Sequence, residues 1–191
     1  MPEVISPARS APALPAMSEH KRRIYDDSER NAAERGKWRR KASFFHAEDT
    51  AYLRFVIPAG KRILDLGCGA GETLAALQPS YGVGIDFSPS LIEQARAAHP
   101  HLEFHAGDVE AKETLDALRG PFDFILIVDT FGALEDCQAL LERLHPFCTL
   151  ETRLVVAYYS HLWDPLLKLA EWMGLRKPQP LHNACQTVAL P

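Results

Sequence analysis

The sequence predicts an α/β fold: a doubly wound parallel sheet of order 3-2-1-4-5 behind a helical N-terminal cap. Three observations carry this. Ile63, Leu64 and Leu66 form an apolar run that ends in Gly67, Gly69 and Gly71, the pattern of a buried strand turning tightly into a helix. Similar short apolar runs recur at residues 81–86, 102–109, 122–128 and 153–159, with helix-like stretches between them, and that alternation favours parallel strands joined by crossover helices. Residues 122–128 are the most continuous apolar run in the chain and belong at the centre of the sheet.

Residues 1–17 hold Pro2, Pro7, Pro12 and Pro15 among Ala and Ser, too much proline for helix or central strand, and read as a disordered leader. Residues 18–60 turn charged and aromatic, with Tyr25, Trp38-Arg-Arg-Lys41 and Phe44-Phe45-His46. Good helix formers predict two helices with a break at Gly36. As a cap, this segment would turn Tyr25 and His46 inward as polar tips over a ligand. The competing reading makes the aromatics packing and the basic cluster a solvated face.

The core then occupies residues 61–191. A helix over residues 72–77 follows the glycines. Ser88-Pro89 supplies a capping hydroxyl and a first-turn proline for a helix with Leu91, Ile92, Ala95 and Ala98 on one face. In residues 102–109, Leu102, Phe104 and Ala106 should point inward and His101, Glu103 and His105 outward; the histidines read as a solvated edge rather than a metal site. Ala111, Leu115 and Leu118 mark the next helix, stopped by Gly120-Pro121. Cys137, Leu140, Leu141 and Leu144 mark another. Asp164-Pro165 opens a last helix, with Leu166, Leu169, Ala170 and Met173 inward and Gly174 closing it.

The glycine turn narrows the ligand. A dinucleotide turn wants glycine or alanine at its sixth position, where this chain has Glu72, and a P-loop wants a lysine that residues 62–80 lack. Asp86, ending the second strand, is placed to accept both hydroxyls of a ribose. Asp65, just before the first glycine, would repel phosphate and attract an ammonium or sulfonium charge. A nucleoside with a cationic amino-acid end, S-adenosylmethionine, fits both acids.

Leu64-Asp-Leu-Gly-Cys-Gly-Ala-Gly71 with Ile85-Asp86 and Phe104-His-Ala-Gly-Asp108-Val109 resembles the motifs of class I S-adenosylmethionine-dependent methyltransferases, which have a Rossmann-like core. The resemblance implies a cofactor site built from Asp65, Gly67, Cys68, Gly69, Gly71, Asp86, Phe87, Asp108 and Val109, with Asp108 facing the adenine amino group. Val128 and Asp129, with Thr130, should border the same cleft at the carboxyl end of the fourth strand. The stretch from Tyr158 to Pro180 is similar to bacterial methyltransferase domains that precede glycosyltransferase modules. The family pattern also continues into an edge hairpin, for which residues 175–191, with Lys177-Pro-Gln-Pro180, leave little room; the chain reads as a short member or a truncated piece.

Composition sets further limits. At 191 residues and 47% hydrophobic, the chain can bury one good-sized core. A net charge of -4 gives no general attraction to nucleic acid or anionic membrane. Cys68, Cys137, Cys148 and Cys185 form no C-x-x-C pair, which fits a reducing cytoplasm, and no run is long enough to span a membrane. The expected function is methyl transfer from S-adenosylmethionine to a small molecule or glycan. Its base, where one is used, would be His46 or Asp129, and nothing in the sequence calls for a metal. The rival readings are a non-catalytic module of the same fold, binding the cofactor or only a partner, and a nicotinamide oxidoreductase, which Glu72 opposes. The fifth strand, with nothing after it to pair its outer edge, suggests self-association into a homodimer.

Overall fold

The computed structural model of the chain describes residues 17–41, 43–157, 168–169 and 172–173, with the side chains of 31, 33–41 and 43–46 outside the description. Two helices come first, α1 (Glu19–Lys41) and α2 (Ser43–Val56). The chain then alternates: β1 (Arg62–Leu66), α3 (Glu72–Ala76), β2 (Tyr81–Asp86), α4 (Pro89–Ala98), β3 (Glu103–Ala106), α5 (Lys112–Asp116), β4 (Phe124–Val128), α6 (Cys137–Leu144) and β5 (Arg153–Ala157). The strands form one parallel sheet in the order β3-β2-β1-β4-β5, as the alternation predicts.

Strand parity builds two cores. Leu64, Leu66, Val83, Ile85, Ile125 and Ile127 pack beneath Leu115 and Leu118 of the α5 region and Leu140 and Leu144 of α6. On the other face Ile63, Phe104, Phe124 and Leu126 meet Leu53 and Ile57 from the end of α2, Leu74 and Leu77 of the α3 region, and Ile92 and Ala95 of α4. Full burial on both faces is why these strands read as continuous apolar runs. The winding reverses between β1 and β4, and the carboxyl ends of both strands meet there, where a doubly wound sheet leaves its ligand crevice.

Several local expectations hold. Ser88 caps α4 by accepting the Leu91 N–H at 3.2 Å, with Pro89 in the first turn. Others need correction. α1 runs straight through Gly36 and stops at Lys41; a single glycine costs a helix only about 1 kcal/mol, which the surrounding helix formers outweigh. Ala106 is exposed because β3 is the edge strand and ends there, so of Leu102, Phe104 and Ala106 only Phe104 is buried, with Leu102 half-buried. Leu141 is also exposed, at 44%: the buried stripe of α6 is Leu140 and Leu144. Strand β5 ends at Ala157, so Tyr158 and Tyr159 fall outside the described residues. Of the predicted last helix, residues 168, 169 and 172 are helical. Met173 is a turn, and Leu169 and Met173, expected inward, are 48% and 52% exposed; the rest of that stretch and residues 174–191 lie outside the described residues.

Candidate active site

The glycine turn is fixed by backbone bonding and by lack of room. Gly67, Gly69 and Gly71 all have positive φ, 86°, 57° and 80°, a region that side chains other than glycine's enter at a cost. The N–H groups of Gly67 and Cys68 both donate to the Ile85 carbonyl, at 2.8 and 2.9 Å, which ties the turn to the end of β2. A Cβ on Gly67 would lie 1.8 Å from Thr130 Oγ1, and one on Gly71 would lie 2.6 Å from the Phe104 ring. The cradle is therefore lined by main chain.

Asp86 is buried at the end of β2, and its carboxylate accepts the Gly69 N–H at 2.7 Å and the Ser88 N–H at 2.9 Å. These bonds hold it beside the cradle and use one lone pair on each oxygen, leaving acceptor capacity for a diol. Asp65 differs. It is 2% exposed and, among the described residues, no group donates a hydrogen bond to it. Burial, reinforced by the Asp86 charge, pushes its carboxyl up to about 7. A buried acid under that strain is stabilised most by an incoming cation, which is what an ammonium or sulfonium group would supply. The cradle, the diol acceptor and the unpaired buried acid together fit S-adenosylmethionine.

The third acid follows β3. Asp108 accepts the Glu110 N–H at 2.9 Å and pairs with the ammonium of Lys21 from α1. Tyr25, one turn further along α1, meets Phe87 edge to face at 5.4 Å between ring centroids. Burial, followed by the charges of Glu29 and Asp26, raises its phenol pKa, so the ring stays neutral. Glu29, another turn on, accepts from the Ser88 hydroxyl and, at 2.6 Å, from the Ser90 hydroxyl. Burial would raise the Glu29 carboxyl, but these serine hydrogen bonds prevail and hold it below the usual carboxylate range. The structure thus brings Tyr25 and Phe87 together at the rim.

Other predicted residues serve differently. The Cys68 side chain packs into the core against Gly84, where a Cβ would lie 2.7 Å from its sulfur, so only its backbone lines the turn. Val109 is buried in the opposite core, and Val128 packs half-buried against the Phe104 side. Asp129 is exposed at φ 57°, its N–H donating to Ala157 at 3.0 Å. The His46 side chain lies outside the described residues. Sequence reasoning missed Lys21, Glu29 and Glu110. Lys21, Tyr25 and Glu29 recur every fourth residue, a helix stripe that was readable once Tyr25 had been placed inward.

A 3-2-1-4-5 parallel sheet with this glycine cradle and its three acids defines a class I S-adenosylmethionine-dependent methyltransferase fold. The chain belongs to the methyltransferase domain family, whose profile matches residues 57–187. It is 32% identical over 114 residues to malonyl-[acyl-carrier protein] O-methyltransferase of Bacillus cereus, covering 56% of this chain and 41% of that one. It is 31% identical over 129 residues to trans-aconitate 2-methyltransferase of Methylobacterium radiotolerans, covering 65% and 48%. The chain therefore spans less than half the length of these two relatives. In fold it matches magnesium protoporphyrin IX methyltransferase of Synechocystis, solved with bound S-adenosylmethionine, at a TM-score of 0.60 and 16% identity, covering 78% and 80% of the two chains.

Proposed function

We propose that this chain transfers a methyl group from S-adenosylmethionine to an oxygen, nitrogen or carbon nucleophile of a small molecule or glycan. The observation that carries the reading is Asp65, a buried acid without a described donor beside the glycine cradle. Both relatives act on small molecules or carrier-bound acyl groups by name, which supports a small acceptor. The bound cofactor supplies a methyl carbon already activated by its sulfonium. The chain's own work is placement: the cradle seats the amino-acid end, Asp65 balances its charge, Asp86 holds the ribose, Asp108 takes the adenine amino group, and α1 covers the rim. Holding two reactants in line contributes on the order of 7–11 kcal/mol in favourable cases, which leaves little for a dedicated base. His46 and Asp129 are the candidate bases.

In domain terms we place a leader at residues 1–17, the cap at 18–60 and the cofactor-binding core at 61–191, in a cytoplasmic protein. Among the described residues, no helix is long and apolar enough to cross a membrane. Self-association through β5 is supported by Leu154 and Val156, which are 44% and 45% exposed on one face of that strand; sedimentation over a dilution series tests it, and a monomer at every concentration removes it. The test of function is calorimetry with S-adenosylhomocysteine against NAD, followed by turnover assays with carboxylate, amine and sugar acceptors. Tight S-adenosylhomocysteine binding with NAD inert is expected. Binding of NAD alone would overturn the cofactor, and binding without turnover would leave a non-catalytic module.

A further inference from the structure

Lys21 belongs to none of the cofactor motifs, yet its side chain is 14% exposed and touches two acids at once. Its ammonium contacts Asp108 Oδ2 and lies 2.9 Å from Glu110 Oε2. Neither acid stands alone. Asp108 Oδ1 accepts the Glu110 N–H, and Glu110 accepts the N–H groups of Glu135, at 3.1 Å, and Asp136, at 2.7 Å. The loop after β4 and helix α1 are therefore joined through Glu110, in the loop after β3. Burial works to lower the Lys21 pKa, but the hydrogen bonds and charges of Asp108 and Glu110 outweigh it and leave it raised. For Glu110, burial works upward and is overcome by the Asp136 N–H, Lys21 and the Glu135 N–H, so it sits below the usual range. Both shifts keep Lys21 and Glu110 ionised at neutral pH.

We infer that Lys21 is a positioning residue for purine recognition: it holds the Asp108 carboxylate in one orientation and so makes the site select a 6-amino purine over a 6-oxo purine. The inference rests on the S-adenosylmethionine reading. A carboxylate offers about four acceptor sites, and Asp108 spends one on the Glu110 N–H and one on Lys21. The remaining pair can accept an exocyclic amino group. A 6-oxo group presents lone pairs to the same carboxylate and is repelled. That contrast lasts only while the carboxylate stays in place. Without the ammonium, Asp108 and Glu110 are left as two acids that had both touched one nitrogen, and their repulsion turns Asp108 away.

The test compares S-adenosylhomocysteine with S-inosylhomocysteine by calorimetry on the full chain and on Lys21→Met, Lys21→Gln and Lys21→Arg. The wild type should prefer the adenosyl ligand by at least about 30-fold, and Lys21→Met should shrink the ratio below about 5-fold, chiefly by losing adenosyl affinity. Lys21→Arg, which keeps the charge, should restore most of it. A merely structural lysine would weaken both ligands together and leave the ratio alone. A folded Lys21→Met with the wild-type ratio overturns the inference, as does a wild type that binds both ligands equally; if Lys21→Met does not fold, the ratio for Lys21→Gln decides in the same way. Failure of the wild type to bind S-adenosylhomocysteine at all overturns the cofactor reading instead, and that measurement is made first.

Discussion

The two walls of the cleft are held by different physics. The glycine wall is continuous with the core: β1 and β2 pair along their lengths from Arg62↔Tyr81 to Leu66↔Ile85, and Leu64, Leu66 and Ile85 are fully buried. The α1 wall rests on side chains, with Lys21 on Asp108 and Glu110, Tyr25 on Phe87, and Glu29 on Ser88 and Ser90. Among its described side chains, only Ala32 belongs to the buried apolar set. Opening the first wall means unfolding the sheet; opening the second breaks a few partly buried side-chain contacts, ionic, hydrogen-bonded and aromatic. A covering element drawn from the less stable part of a fold is what a site needs when it must exclude water and still admit a ligand.

The largest effect should come from the rigid wall. Gly67→Val places side-chain atoms where Thr130 already sits, with a Cβ 1.8 Å from its hydroxyl, at a φ of 86°. We expect S-adenosylhomocysteine affinity to fall by more than about 100-fold and the melting temperature to drop several degrees, since strain of this kind costs of order 1–3 kcal/mol. Calorimetry and thermal melting check both. Normal binding in the variant would mean that the glycine turn is not the site.

Asp86→Ala comes next. It removes the acceptor of two N–H groups, Gly69 at 2.7 Å and Ser88 at 2.9 Å, and leaves ribose hydroxyls unpaired on binding. The expected loss is about 1–3 kcal/mol of binding, roughly 5- to 150-fold, with a similar loss of stability. An affinity within twofold of wild type would remove Asp86 from the ribose.

How much of this was legible follows the same division. The core reveals itself because burial on both faces forces apolar runs, and the cradle because glycine spacing and flanking acids are local in sequence; sheet order, the Ser88 cap, Asp65 and Asp86 could all be read that way. The cap could not be read to the same depth. Helicity was legible, but whether Gly36 broke α1 depended on small propensity differences, and the partners of Lys21 and Glu29 lie 87 and 59 residues away in the chain. Side-chain placements inside the core have the same limit. Cys68 stands within the motif, but its sulfur turns towards Gly84, and Ala106 lies at an edge that periodicity alone does not reveal.

A third effect separates the walls by pH. The folded Asp65 carboxyl is raised to about 7 by burial and then by Asp86, so the native state binds this proton more tightly than the unfolded chain does. The Asp65 contribution to stability is therefore full below the ordinary carboxylate range, near pH 4, and is lost as pH rises to about 7. A cationic ligand favours the ionised form. Binding should strengthen by up to about tenfold per unit as pH rises towards 7, with proton release measurable by buffer-dependent calorimetry. Asp65→Asn should flatten both profiles and bind at least about tenfold more weakly above pH 7. A wild-type affinity that is flat between pH 5 and 7 would rule out Asp65 as the seat of the positive charge.

The smallest effect probes the α1 wall directly. Glu29→Ala removes the acceptor of the Ser88 and Ser90 hydroxyls and of the Ser90 N–H, at 3.3 Å. The Ser88 hydroxyl still accepts from Leu91, so α4 keeps its cap. Global stability should therefore fall by only about 0.5–1.5 kcal/mol. Hydrogen exchange should show more than the melting curve does: amides in residues 19–32 should exchange about tenfold faster, while those of β1 and β2 keep wild-type protection, because α1 opens without the sheet. Adding S-adenosylhomocysteine should restore much of the α1 protection in the variant, since a bound nucleoside gives the helix a surface to close on. If exchange in α1 and β1 instead rises together, the two walls are one cooperative unit and α1 is scaffold rather than lid.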